Sequence, residues 1–547
     1  MFNVKVRERW SSAQGLWSLV GWIKARSSTS RSAQGTRQAF PPVEAIGRRR
    51  PRSGAMLAIW QDEVLPFRDL LSREYPVHEV FVPSRALAKL EPLIGIERYR
   101  DLISIAGATR EKLEGRAVWN ISSTAEGGGV AEMLQVLVGY TLDAGFDVHW
   151  LVISGDAEFF AITKRIHNHL HGAAGDGGEL GANEMAHYMK VTDANAQSVI
   201  NLIRPGDVVL LHDPQTAGLA TALASAGAHV VWRCHVGHEQ SNEWTEQAWS
   251  FLQHHLTACN AYIFSMRAYV PSWMEESTVW IIPPSIDPFS PKNEELDRQG
   301  VLRTLRHIGL LTEVQGDAPA SFIRRDGTRG LVERKASIVC ADTTPFDSGV
   351  PLVVQVSRWD RLKDMAGVME GFAACVTGRI DAQLALVGPS TNEVSDDPEE
   401  SAEFQACLSA WNALPIEGRR HICLVTLPME DTDENAAMVN AIQRYATVIV
   451  QKSLAEGFGL TVTEAMWKSK AVIASGVGGI AIQIVPGTGI LLENAADLSA
   501  FGRTLIDLLA HPDVIADLGR RAHQRVLDSF VGDEHLKRLA YLLDWLS

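Results

Sequence analysis

From residue 117 onward, short apolar runs alternate with segments of helical spacing. AVWNIS (117–122), DVHWLVIS, DVVLLHD and HVVWRCH read as strands, each ending in polar residues, and VAEMLQVLVGYTLDAG after the first reads as a helix. A second series starts at PLVVQVSRWD (351–360). It runs through the helix DMAGVMEGFAACV, the strand AQLALVG, a polar stretch of about 30 residues, and the strand HICLVTL. The helix ENAAMVNAIQRYA, the strand TVIVQKS, a glycine turn, the helix TVTEAMWKS and the strand AVIAS follow. Strands alternating with helices predict parallel sheets covered on both faces. The expected class is α/β, two doubly wound domains facing each other across a cleft, where ligands bind at the carboxyl ends of strands.

The expected division is a basic leader (1–55), a helical segment (56–115), a first Rossmann-like domain (116–290), a linker with a polar insertion (291–350), a second Rossmann-like domain (351–530) and a helix packing back (531–547). Within the linker, residues 311–346 are rich in Gly, Pro and Arg and read as an inserted loop or lid. At 547 residues the chain exceeds one ordinary core.

Charge changes this picture at the amino end. Residues 1–55 hold eleven Lys/Arg against Glu8 and Glu44, a net of +9. The formal net charge of −14 therefore leaves −23 for the remainder. An acidic body argues against a nucleic-acid surface. The Ser/Arg-rich leader reads as disordered, either a targeting segment or sequence upstream of a start at Met56. No apolar run approaches membrane-spanning length. The six scattered cysteines form no CxxC pair and fit a reducing cytosol, so a cytoplasmic protein is expected.

Four stretches carry candidate chemistry. TAEGGGVAEM (124–133) puts three glycines, Gly127, Gly128 and Gly129, between a strand and a helix. There the backbone can approach a ligand and the helix offers N–H groups to an anion, although a plain flexible turn explains the glycines too. LLHDPQ and VWRCHVGHEQ place histidines at strand ends, with His235 the better cleft residue. His235 and His238 lack a third partner at metal-ligand spacing. VSRWDRLKD sets Arg358 and Lys363 at the mouth of the second sheet, suited to a diphosphate or to a solvated helix start paired with Asp360 and Asp364. Finally, AEGFGLTVTEAM places Glu456 on a Gly-Phe-Gly turn and Glu464 early in the next helix. Glu464 suits ordinary helix electrostatics; Glu456 has no such simple explanation.

A carboxylate, a Gly-Phe-Gly turn and a second glutamate eight positions on resemble the E-x7-E motif of retaining family 4 glycosyltransferases of GT-B fold. Arg358 and Lys363 match that family's diphosphate clamp. STAEGGGVAEML, EFFAITKRIHNHLHG, HDPQ, WRCH, PPSIDPFSPKN, VSRWD and EGFGLTVTEAMWKSKAVI narrow the resemblance to trehalose glycosyltransferring synthases, from about residue 75 to the C-terminus. Residues 1–55 and 311–346 lie outside it.

The resemblance implies a retaining glucosyltransferase joining glucose from a nucleoside-diphosphate glucose to free glucose, giving α,α-trehalose. It implies that Glu456, Arg358, Lys363 and His235 act in catalysis. Gly127, Gly128, Gly129, Phe458, Gly459, Leu460, Thr461 and Glu464 would hold the donor, with Glu464 on the ribose. Asp213, Glu239 and Gln240 are acceptor candidates. No metal or cofactor is implied, the nucleotide-glucose being a substrate, and neither a membrane nor a nucleic acid is expected as partner. A homodimer is implied by the resemblance alone. A retaining trehalose phosphorylase, or a family 4 transferase with another acceptor, are the alternatives.

Overall fold

Strands covered on both faces must bury every position, and the middle strands do. The computed structural model describes residues 76–125, 128–312, 318–342, 345–391 and 398–547. The first sheet holds β1 (His78–Glu79), β2 (Val118–Ser122), β3 (Val148–Val152), β4 (Val208–His212), β5 (His229–Cys234), β6 (Ala261–Phe264) and β7 (Val279–Ile281). Their spatial order is β1-β3-β2-β4-β5-β6-β7, parallel throughout except for β1. Every residue of β2, β4 and β6 is buried.

Beyond the linker come a hairpin, β8 (Ser321–Ile323) with β9 (Arg329–Leu331), and then a second sheet. That sheet holds β10 (Ser337–Val339), β11 (Leu352–Val356), β12 (Gln383–Pro389), β13 (Ile422–Leu427), β14 (Val448–Gln451), β15 (Ala471–Ser475) and β16 (Ile490–Leu492). The order is β10-β13-β12-β11-β14-β15-β16, parallel except for β10. The order in which the chain visits its strands reverses between β2 and β4 in one sheet and between β11 and β14 in the other, although each pair is parallel. Such switch points leave a crevice at the carboxyl ends of the strands.

Helices cover both faces of each sheet. Asp431 caps the helix Thr432–Tyr445 by accepting from the N–H groups of Asp433 and Glu434, and Asn242 caps Glu243–Leu256 in the same way. The last helix, Gly532–Leu546, packs on Ile96–Leu113 of the amino-terminal segment, where Arg98 holds Asp533 through both carboxylate oxygens.

Three expectations are refined here. The polar stretch after β12 contains a helix, Pro398–Ala413, whose apolar residues lack a clean helical stripe. Residues 311–346 are more than a loop. Ile323 N–H bonds Glu294, and Arg324 and Arg325 pair with Asp431 and Asp433, while β10 extends the second sheet. The segment before the first domain, described from residue 76, adds the short edge strand β1 to its helices. The basic leader lies outside the described residues, as do residues 56–75 of the helical segment. Among the described residues, no helix is long and apolar enough to cross a membrane.

Candidate active site

The second switch point is floored by polar side chains that a parallel strand rarely carries. Gln355 is the fourth of five residues in β11 and Gln451 the last of β14, both buried. Gln355 Nε2 donates to the Lys363 carbonyl at 2.7 Å. Gln451 Nε2 donates to Ser357 Oγ at 3.2 Å and Ser453 Oγ at 3.0 Å, and its Oε1 accepts from Thr461 Oγ1 at 3.2 Å. This network joins both strand ends to the next helix. Each buried polar group is thereby satisfied, and the loops above are fixed.

On that floor stands the clamp. Lys363 ends a single helical turn, Arg361–Lys363, and its Nζ lies 2.8 Å from both oxygens of Glu456. Their side chains are only 17% and 10% exposed. Ser453 Oγ adds a third bond to Glu456 Oε2 at 3.2 Å. Arg358 is 53% exposed and lies 3.7 Å from the carboxylates of Asp360 and Glu400. Beneath them Lys452, fully buried, pairs with Asp364 and donates to the Ala495 carbonyl at 2.8 Å.

The glycine turn needs its glycines. Gly459 sits at φ +82 as N-cap of the helix Leu460–Trp467. The Phe458 ring is buried against Phe530, and the Phe458 carbonyl accepts from Gln483. That ring therefore belongs to the core, leaving backbone as this residue's means of meeting a ligand. Gly128 precedes the helix Gly129–Asp143, and a methyl on Gly129 would lie 3.5 Å from Leu460 Cδ1. The two glycine loops thus meet across the crevice. Gly127 lies outside the described residues.

Glu464 stands one turn into its helix, 3% exposed, with Lys292 Nζ 3.6 Å from Oε1. Lys292 also holds both oxygens of Glu132, at 2.9 and 3.0 Å. Burial pushes the Glu464 carboxyl above the usual range, against the pull of Lys292. Its Oε2 is buried without a hydrogen-bond partner among the described residues. A cavity of about 50 Å³ adjoins it, lined by Glu132, Gln135, Asn293, Arg325 and Leu460 among others. An orphaned carboxylate oxygen beside a cavity is suited to accept from ligand hydroxyls.

From the first sheet, His235 follows β5. Its Nε2 is 3.2 Å from His212 Nδ1, and His212 Nε2 is 3.2 Å from Asn120 Oδ1. Burial, reinforced by Arg233, holds both imidazoles well below their usual range. They are therefore neutral near pH 7. Asp213 adopts a left-handed conformation (φ +63), and its Oδ1 accepts from the His235 N–H at 2.8 Å. Burial pushes its carboxyl to about 7, against the pull of that N–H and of Arg233. Its geometry is that of a brace for His235. Glu239 and Gln240 lie on the exposed loop beyond. Tyr269 Oη bridges the units, donating to the carbonyls of Glu456 and Gly457 at 3.0 and 2.7 Å.

Glu456, Lys363, Glu464, the described glycines and His235 thus border one crevice. Sequence reasoning missed Lys452, Lys292, Glu132, Asn120 and Tyr269, and ranked His212, at the end of β4, below His235. Glu132 and Lys292 fell within quoted blocks, GGGVAEM and PPSIDPFSPKN, yet 160 residues separate them.

Comparison with known proteins gives the family and the fold. Residues 120–271 match the family model described as trehalose synthase, N-terminal domain, and residues 342–525 match that of glycosyl transferases group 1. A trehalose synthase of Thermococcus litoralis is 34% identical over 457 residues, 82% of this chain and 96% of that protein. A trehalose phosphorylase of Pleurotus sajor-caju is 26% identical, over 72% of this chain and 53% of that protein. In fold, the α,α-trehalose-phosphate synthase (UDP-forming) of Burkholderia vietnamiensis superposes with a TM-score of 0.57 at 15% identity, covering 79% of this chain and 96% of that one. The chain is a glycosyltransferase of GT-B fold and belongs to the trehalose synthase family.

Proposed function

We propose that the chain transfers glucose from a nucleoside-diphosphate glucose to free glucose, forming α,α-trehalose with retention at the donor carbon. The observation that carries this reading is the Lys363–Glu456 pair at the second switch point, beside Arg358 and the N-terminus of the 460–467 helix. Arg358, Lys363 and the helix N–H groups take the diphosphate, whose charge grows as the glycosidic bond breaks. Fixed charge aimed at a leaving group is the most effective kind of stabilisation. Glu456 receives hydroxyls of the transferred glucose, and Glu464 those of the ribose. Neutral His235, set by Asp213 and His212, reaches the sugar from the first unit.

Glu456 and Glu464 serve opposite ends of the donor and so do not act as the acid–nucleophile pair of a retaining glycosidase. Retention then comes from attack on the face of departure, the leaving phosphate oxygen taking the acceptor proton. The Lys292–Glu132–Glu464 cluster joins both units around the ribose end, which favours a nucleotide donor over bare phosphate.

The test is product analysis. The protein is incubated with glucose and, separately, UDP-, ADP- and GDP-glucose, and the products are read by NMR. An α,α-linked disaccharide with one donor supports the reading and names the base. Glucose 1-phosphate formed from trehalose and phosphate, with no nucleotide-dependent product, moves the assignment to a phosphorylase.

A further inference from the structure

Between β3 and β4 the chain builds two helices, Ala157–Leu170 and Ala182–Ile200, where one completes a crossover. The end of the first arrives at the glycine turn of the other unit. A methyl placed on Gly457 would lie 3.6 Å from His171 Cε1 and 3.1 Å from the His235 carbonyl oxygen. The helix end is pinned there. Asn242 Nδ2 donates to the Gly172 carbonyl at 2.9 Å, and Gly172 (φ +78) has the His238 ring against it.

His167 and His171 lie one helical turn apart and pack edge to face, ring centroids 4.8 Å apart. The Nδ1 atom of each is buried without a hydrogen-bond partner among the described residues. A histidine kept for the fold's own bonding would use that nitrogen. Burial, joined by Lys363, pulls His171 down to about 4, and burial, with His171, Lys164, Arg358 and Lys363, holds His167 well below its usual range. Both rings are neutral near pH 7, each with one donor and one acceptor. That suits a sugar hydroxyl better than an anion.

If the acceptor attacks from the face the phosphate leaves, its hydroxyl must arrive beside Arg358 and Lys363. The charge of both cations reaches His167, and that of Lys363 reaches His171. We propose that His167 and His171 bind the acceptor sugar, their imidazoles exchanging hydrogen bonds with its hydroxyls next to the donor diphosphate. This rests on the glucosyl-transfer reading above. It adds His167 and His171 to Asp213, Glu239 and Gln240 as acceptor candidates, Asp213 already accepting from the His235 N–H through Oδ1.

The test is initial-rate kinetics of the wild type, His167→Ala, His171→Ala and the two His→Gln variants. Glucose and nucleotide-glucose are varied in turn, and trehalose is read by NMR. Each alanine variant is expected to raise the KM for glucose about tenfold or more while the donor KM holds within about twofold. Glutamine, which keeps a donor and an acceptor, should recover part of the loss. A donor KM that rises equally, or an unchanged glucose KM, overturns the proposal. Calorimetric binding of the nucleoside diphosphate shows whether each variant is folded, and the glutamine variants decide the matter where an alanine variant is not. A wild type that makes no trehalose from any donor removes the functional reading and this inference with it. A wild type that does, with variants unchanged in glucose KM, removes this inference alone.

Discussion

At the scale of single residues, the clamp and its brace make different demands. Glu456 takes two bonds from Lys363 and one from Ser453. Glu456→Gln keeps the shape and loses the charge. Turnover at saturating substrates is expected to fall by about a hundredfold or more, with thermal unfolding little changed. Near-normal turnover removes Glu456 from the mechanism. Asp213 tests electrostatics instead. Its carboxyl, carried from an ordinary 3.8 to about 7, binds a proton in the folded state that the unfolded chain lacks between those values. The stability it lends is present at low pH and lost as pH rises towards 7, by at most about 1.4 kcal/mol per unit. Asp213→Asn should therefore raise the melting temperature relative to wild type more at pH 8 than at pH 5. An equal offset at both values contradicts a raised carboxyl.

At the scale of elements, two glycine turns nest in each other. Gly479 N–H donates to the Gly457 carbonyl at 3.0 Å, and Gly478 adopts φ +51. A methyl on Gly478 would come 1.8 Å from the Glu456 carbonyl oxygen. Gly478→Ala must displace the turn that carries Glu456. We expect a loss of about 2–4 kcal/mol in denaturant unfolding, together with most of the activity; an active, fully stable variant means the turns do not nest. Buried strands announce themselves as unbroken apolar runs, so β2 to β5 and β11 to β15 were readable, while the four-residue β6 was not. β1, two residues long and exposed, and β10, three residues long and partly exposed, are too short for any periodicity to register. The clamp was readable because Arg358 and Lys363, like Glu456 and Glu464, sit within one motif each. Lys292 with Glu132, and His212 with His235, were not, because their pairing exists only once distant segments meet.

At the scale of the whole molecule, closure and acid sensitivity follow from what is buried between and within the units. Tyr269 Oη holds the Glu456 and Gly457 carbonyls from across the crevice. Tyr269→Phe removes both bonds and should loosen closure, admitting water as a competing acceptor. The ratio of free glucose to disaccharide formed from the donor is expected to rise several-fold; an unchanged ratio excludes this contact as a gate. Protonation acts on the whole fold. Seven imidazoles, His167, His169, His171, His212, His235, His255 and His535, are held below their ordinary value chiefly by burial. Each is neutral when folded and takes a proton on unfolding, so its contribution is present above about 6.5 and lost as pH falls. Asp213 runs the other way through the same window, as do raised carboxyls at Glu294, Glu403, Glu464 and Asp533, and His149, drawn up by Glu79 against its burial. Those carboxyls start from ordinary values of 3.8 to 4.5, so much of their effect falls at lower pH than the imidazoles'. The imidazoles should therefore prevail between pH 7 and 5, and the melting temperature should drop across that range. Asp213→Asn, which removes an opposing group, should steepen the drop. A melting temperature that rises on acidification would mean that the carboxyls govern this fold's response to pH.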